Sequence, residues 1–254
     1  MDISEAVEMK TERKEIIMNE QKSYQNKCFS VLGDSISTLN GYTEPDYAAF
    51  YEGIVKFATN VFIPEDTWWG QVIERLGGFI LVNNSFSGST VTKRKGYEIE
   101  SYGCSDERTS ALSRDGVSPD VIMVFIGIND WGCRTKRLPT DDSEKDDISI
   151  FSVAYKTMLS KLKKNYPQAE IWCFTLPISA WSEKENFVFP YRDGEWHIQN
   201  YCETIRGCAE AQGCRVIDLY HYPIPYDTVD GAHPNAVGMK TLADAVIAQL
   251  DGEG

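Results

Sequence analysis

The sequence predicts an α/β fold built on a parallel β-sheet with helices covering both faces. Three observations carry this expectation. Short apolar runs alternate with amphipathic segments from residue 28 to the C-terminal end, the order expected of successive βαβ units. The run Val121, Ile122, Met123, Val124, Phe125, Ile126 is continuous rather than alternating, as in a strand buried on both faces. Polar segments follow the first, second, third and fifth apolar runs, at the strand ends where open α/β sheets bind ligands.

The elements follow in chain order. Residues 28–32 form the first strand, ending at Gly33. Residues 68–76 have helical periodicity and stop at Gly77 and Gly78, residues that end helices. Residues 79–82 and 121–126 are the second and third strands. Residues 150–162 read as an amphipathic helix with a basic end, which suits the negative pole of the helix dipole. Residues 170–175 and 215–219 are the fourth and fifth strands, with a helix over 200–212 between them. The last helix is predicted to start at Pro234, a residue favoured in a first turn, and to run to about Leu250. Residues 1–26 are rich in Glu, Lys and Met, and Ala6, Met9, Ile16 and Ile17 sit near helical spacing. They are read as a charged, helical arm, and residues 27–254 as one domain.

A chain of 254 residues is long enough to bury a core without help from a metal or disulfide. With 25 Lys and Arg against 38 Asp and Glu, the net charge is −13. That disfavours nucleic acid or an anionic membrane as a partner, because phosphate binding needs clustered cations. No segment is long and apolar enough to span a bilayer, and residues 1–27 lack the apolar centre of a secretory signal. A cytoplasmic location is therefore expected. The seven cysteines show no paired spacing, so free thiols are expected. Cys202, Cys208 and Cys214 recur at intervals wider than zinc sites favour, and no metal site is predicted.

Four segments carry chemistry: Gly33-Asp34-Ser35, Ser85-Phe86-Ser87-Gly88, Gly127-Ile128-Asn129-Asp130 and Asp230-Gly231-Ala232-His233. Ser35 follows a strand and a glycine, where a sharp turn can expose a hydroxyl; a loop serine capping a helix is the simpler alternative. The α/β-hydrolase elbow needs Gly-x-Ser-x-Gly, and Ser37 stands where its second glycine belongs. Asp230 lies three residues before His233, close enough in a turn to fix the imidazole tautomer for base catalysis. Gly88 permits close backbone approach to a ligand, and the Asn129 amide offers two donors. With the Ser35 amide they are expected to make a three-donor oxyanion hole, a plain turn glycine and an Asx-turn being the alternatives. Together these are the parts expected for acyl transfer through a serine ester.

In this order and spacing the segments resemble the conserved blocks of the SGNH, or GDSL-type, esterase and lipase family. Gly33-Asp34-Ser35 matches the first block, with Ile36 where the commonest version has Leu. Gly88 matches the second, Gly127 to Asp130 the third, and Asp230 to His233 the last. The resemblance implies a three-layer α/β/α, flavodoxin-like fold with a five-stranded parallel sheet. It also implies a serine that is acylated and then released by water without a cofactor. Asp34 is expected to be structural. Trp68 and Trp69, after Asp66-Thr67, are similar to a segment of bacterial hydrolases; with Trp131 they are candidate substrate-binding residues, core packing being the alternative.

Long loops over residues 37–66, 131–147 and 177–196 carry Tyr42, Tyr47, Phe50, Tyr51, Trp131, Trp181, Phe187, Phe189, Tyr191 and Trp196. Such loops shape specificity. Aromatic platforms beside polar groups suit sugar rings and suit aryl or short acyl groups almost as well. The expected substrate is a small polar ester, such as an acetylated or acylated carbohydrate. Acyl transfer to an alcohol or thiol acceptor, thioester hydrolysis and non-catalytic carbohydrate binding remain open alternatives. The sequence leaves the oligomeric state undetermined.

Overall fold

The computed structural model describes residues 24–94 and 101–250. Strands β1 (Cys28–Gly33), β2 (Phe79–Ser85), β3 (Val121–Phe125), β4 (Glu170–Phe174) and β5 (Arg215–Ile217) form a five-stranded sheet. Its spatial order is β2-β1-β3-β4-β5, and every pairing is parallel. This is the flavodoxin-like order, whose switch point lies between β1 and β3. The described helices are α1 (Gly53–Thr59), α2 (Trp68–Leu76), α3 (Asp106–Ser110), α4 (Ile128–Gly132), α5 (Phe151–Asn165), α6 (Ile198–Ala211) and α7 (Ala236–Leu250).

The period-two geometry of a strand sorts the side chains into two cores. Phe29, Val31, Val121, Met123, Phe125, Trp172, Phe174 and Ile217 pack against α2 and α7. Leu32, Ile122, Val124, Ile171 and Cys173 pack against α5 and α6 on the opposite face. Apolar residues point both ways, so the strands read as continuous runs. The result is the expected three-layer α/β/α arrangement.

Local chemistry sets the helix limits. Thr67 accepts the Gly70 N–H at 3.0 Å to start α2, and Gly77, at φ +68°, ends it. Lys163 and Lys164 close α5, where cations face the helix carbonyls. The last helix begins two residues later than Pro234. The Pro234 carbonyl accepts the Tyr51 hydroxyl at 2.8 Å, and Pro234 forms a bridge with Thr228. Asn235 is the actual cap, its side chain accepting the Gly238 N–H at 2.9 Å. The short helix α1 falls in a stretch read as loop, and α3 in one to which the sequence assigned no element.

The expected arm lies outside the described residues except for 24–26, which form a turn. Tyr24, placed by sequence in that arm, belongs to the core: its ring packs edge-on to Trp172 at 5.2 Å, and its hydroxyl donates to Glu170 at 2.9 Å. No described helix is long and apolar enough to cross a membrane.

Helix α7 sits tightly on the segment that leads to Asp230 and His233. A Cβ at Gly238 would lie 2.0 Å from the Asp227 carbonyl oxygen, which itself accepts the Asn235 N–H at 3.2 Å. Gly238→Ala is therefore expected to cost about 1–3 kcal/mol. Thermal unfolding should read this as a fall of about 2–10 °C in Tm; an unchanged Tm would mean that the helix can slide away at no cost.

Candidate active site

Sheet register brings three of the four segments together. Gly33 pairs with Ser85 of β2 and with Phe125 of β3, so the loops carrying Ser35, Gly88 and Asn129 leave the sheet side by side. Ser35 opens a turn of 3₁₀ helix, Ser35–Ser37, in which Asp34 accepts the Ile36 N–H at 3.1 Å. The structural role expected of Asp34 is this cap. Its carboxyl is buried, which raises its pKa to about 7 against opposing hydrogen bonds from the Ile36 and Gly127 amides.

The fourth segment arrives from beyond β5. Tyr226–Asp227 pairs with Ser179–Ala180, and the chain then turns through Asp230 to His233. Asp230 Oδ1 accepts the amides of Ala232 at 2.9 Å and His233 at 2.8 Å. Its Oδ2 lies 2.7 Å from His233 Nδ1, and His233 Nε2 lies 2.9 Å from Ser35 Oγ. Partial burial raises the Asp230 pKa, but hydrogen bonds from the His233 ring and backbone outweigh it and hold the carboxyl at about 2. An ionised Asp230 only accepts, so Nδ1 carries the proton and Nε2 is left to receive one from Ser35. The serine is 5% exposed, the imidazole 21% and the Asp230 carboxylate 43%.

Gly88 has φ +80°, and a Cβ there would meet nothing within 4 Å. Glycine serves the backbone conformation here, and the space beside it is open. Asn129 donates one amide hydrogen to the Ser89 carbonyl at 2.9 Å, which fixes the amide plane and leaves its second hydrogen. Gly88 and Asn129 both line a cavity of about 300 Å³, with Phe86, Ser87, Thr90, Thr92 and Tyr102 among its walls. Asp130 holds this wall in place. Its buried carboxylate accepts the amides of Val91 and Thr92 and the Thr92 hydroxyl, and burial raises its pKa to about 6.

The tryptophans fall elsewhere. Trp68 and Trp69 are 0% exposed and present no surface to a substrate. Their indole N–H groups donate to Ser37, at its Oγ (3.1 Å) and its carbonyl (3.0 Å), so they brace the serine turn from beneath. Trp131 is 6% exposed, stacked on Phe189 and bonded to the Trp196 carbonyl at 3.0 Å, under the loop over 177–196. The apolar bulk of these rings wins over the pocket role expected for them. The other two histidines have structural partners: His197 caps α6, and His221 pairs with Asp218 at 2.7 Å.

Sequence reading missed Arg108. Wholly buried on α3, its guanidinium donates to the carbonyls of Gly33 and Asn84 at 2.8 and 2.7 Å and to Ser89 Oγ at 2.8 Å. It also donates to the Asn84 side chain and the Ser101 carbonyl. Burial lowers its pKa to about 10, leaving it charged at neutral pH. The available signal was Ser105 before Asp106 and Glu107, a helix start, which marks α3 but not the inward turn of its arginine. Arg108→Met removes all of these donors from a buried site, and urea unfolding should show a loss of about 3–5 kcal/mol. A loss below about 1 kcal/mol would mean that water replaces the guanidinium.

The sequence profile of the GDSL-like Lipase/Acylhydrolase family matches residues 27–177. Among solved structures, a Bacteroides uniformis protein named as a GDSL-like lipase is 27% identical, with TM-score 0.65 over 89% of this chain and 96% of that one. One from Bacteroides ovatus, similarly named, is 25% identical, with TM-score 0.63 over 90% and 99%. A family two carbohydrate esterase from Clostridium thermocellum, solved with cellohexaose, shares the fold at 16% identity, with TM-score 0.54 over 90% of this chain and 65% of that one. No curated protein matches the sequence. Profile, fold and block order agree: the chain belongs to the GDSL-like lipase/acylhydrolase, or SGNH hydrolase, family.

Proposed function

We propose that this protein is a serine esterase acting on small polar carboxylic esters, acylated carbohydrates among them. One observation carries the reading: a continuous hydrogen-bonded line runs from Ser35 Oγ through both nitrogens of His233 to Asp230 Oδ2, with steps of 2.9 and 2.7 Å. A nucleophile, a base within reach of it and a carboxylate orienting that base are the parts of covalent acyl transfer.

In this mechanism His233 takes the Ser35 proton through Nε2 as Oγ attacks the ester carbonyl. Asp230, ionised at neutral pH, stabilises the imidazolium. The N–H groups of Ser35 and Gly88 and the free amide hydrogen of Asn129 receive the oxyanion. His233 then protonates the leaving alcohol. Water, deprotonated by the same nitrogen, releases the acid from Ser35.

The cavity beside Gly88 and Asn129 supports a small substrate group. Phe86, Ser87, Thr90, Arg94, Tyr102 and Cys133 are among the residues that line it, a mixture of polar and apolar, and at about 300 Å³ it is at the low end for ligand pockets. A short acyl group or one sugar ring fits this size better than a fatty chain. The carbohydrate esterase of the same fold, solved with cellohexaose, makes acetylated sugars a sensible first substrate panel.

A small fluorophosphonate should add once to the wild type, at Ser35, and not to Ser35→Ala; absence of an adduct on folded wild type would sink the proposal. Asn129→Ala should lower kcat about 100- to 1,000-fold on a short-chain ester with little change in KM. A raised KM with kcat intact would instead make Asn129 a ground-state contact.

A further inference from the structure

Phe50 was expected among the loop aromatics that suit a sugar ring. In the structure its ring lies flat on the imidazole of His233, with centroids 3.5 Å apart and planes within 10°. We propose that Phe50 is the positioning residue of this site: it fixes the plane of the His233 ring so that Nε2 stays aimed at Ser35 Oγ. The proposal rests on the esterase reading and assigns a role within the same site.

The two hydrogen bonds of His233 do not fix its ring plane by themselves. Each constrains one nitrogen, and rotation about the line joining the two partners changes both bonds only gradually, because hydrogen-bond angles are broad. A flat aromatic surface opposes that rotation directly, since tilting the imidazole drives its edge into the phenyl ring. Ring faces in contact also exclude water from one side of the base. As Ser35 gives up its proton the imidazole becomes a cation, and an aromatic face attracts a cation.

Phe50 can do this because its own position is fixed by the groups it serves. Its N–H donates to Thr38 Oγ1 at 2.8 Å, and the same hydroxyl donates to the Ser35 carbonyl at 2.9 Å. The base and the nucleophile are therefore referenced to one threonine. The next residue, Tyr51, is fully buried; its ring meets Phe50 edge-on at 5.1 Å, and its hydroxyl donates to the Pro234 carbonyl at 2.8 Å, next to His233. Two residues before Phe50, the Ala48 carbonyl accepts the Ser87 N–H at 2.8 Å, beside Gly88. Residues 48–51 thus touch the serine turn, the Gly88 loop and the histidine loop at once. A substrate platform would need none of these ties.

The test compares Phe50→Leu, Phe50→Met and Phe50→Tyr with the wild type by kinetics on a short aryl ester and by NMR of the histidine ring protons. The signals of His233 are identified by their loss in His233→Gln. Leucine or methionine should lower kcat about tenfold with KM nearly unchanged, and tyrosine, which keeps the ring, should restore it. In the wild type the His233 ring protons should be displaced upfield by the phenyl face, and this displacement should vanish with leucine or methionine and persist with tyrosine. Methionine, unbranched and able to fill an irregular gap, decides the matter if leucine fails to fold. A raised KM with kcat kept would make Phe50 a substrate contact and overturn the proposal, as would ring-proton shifts that ignore the substitution. Failure of the wild type to label at Ser35 refutes the esterase reading, and the NMR shifts then still decide whether Phe50 holds the imidazole.

Discussion

The active-site edge of this molecule depends on one buried cation. The Arg108 guanidinium reaches the carbonyls that end β1 and β2, at Gly33 and Asn84, and it holds Ser89 from the next loop. Buried carbonyls at strand ends are costly to leave short of donors, and the Gly33 carbonyl has the Phe86 N–H at 3.2 Å beside the guanidinium. One planar group with five donors answers several of them together. Without it the chain would need water or bulk solvent at the point where Ser35 and Gly88 leave the sheet. The dry, fixed strand ends are what allow two short loops to carry a reactive serine and a donor glycine in a constant relation.

Three carboxyl groups around the site show how environment separates roles. Asp34 and Asp130 are wholly enclosed, and burial outweighs the amides that point at them, so their pKa values rise to about 7 and about 6. Both act on the backbone: Asp34 shapes the serine turn, and Asp130 ties the Asn129 helix to residues 91 and 92. Asp230 is only partly covered, and the ring and amide of His233 bring it down to about 2. The part-covered carboxylate, ionised throughout the neutral range, can orient and stabilise an imidazolium; the two enclosed ones accept backbone amides and shape the loops.

The aromatic residues divide in a similar way. Trp68 and Trp69 brace the serine turn from inside the core, Trp131 is sealed under a loop, and Phe50 covers the base. The cavity beside Gly88 keeps Phe86 and Tyr102 as its aromatic lining. Trp68, Trp69 and Phe50 thus hold catalytic groups in place and offer no open face to a ligand there.

The sequence by itself determined the layers and the order of the active-site blocks. Continuous apolar runs such as residues 121–126 are local signals, and a strand buried on both faces leaves no other pattern; glycines and caps such as Thr67 and Gly77 act within a few residues of the helix ends they define. The pairing of Asp230 with His233 is also local, three residues apart. What only the tertiary structure decided involves partners far apart in the chain. Arg108 meets Gly33 across 75 residues, Tyr51 meets Pro234 across 183, and Phe50 covers a histidine from the other end of the chain. Neither an arginine in a polar stretch nor a phenylalanine in a long loop differs in sequence from its surface counterparts. Burial and stacking are properties of the assembled sheet and its loops, so the folded chain alone places these residues.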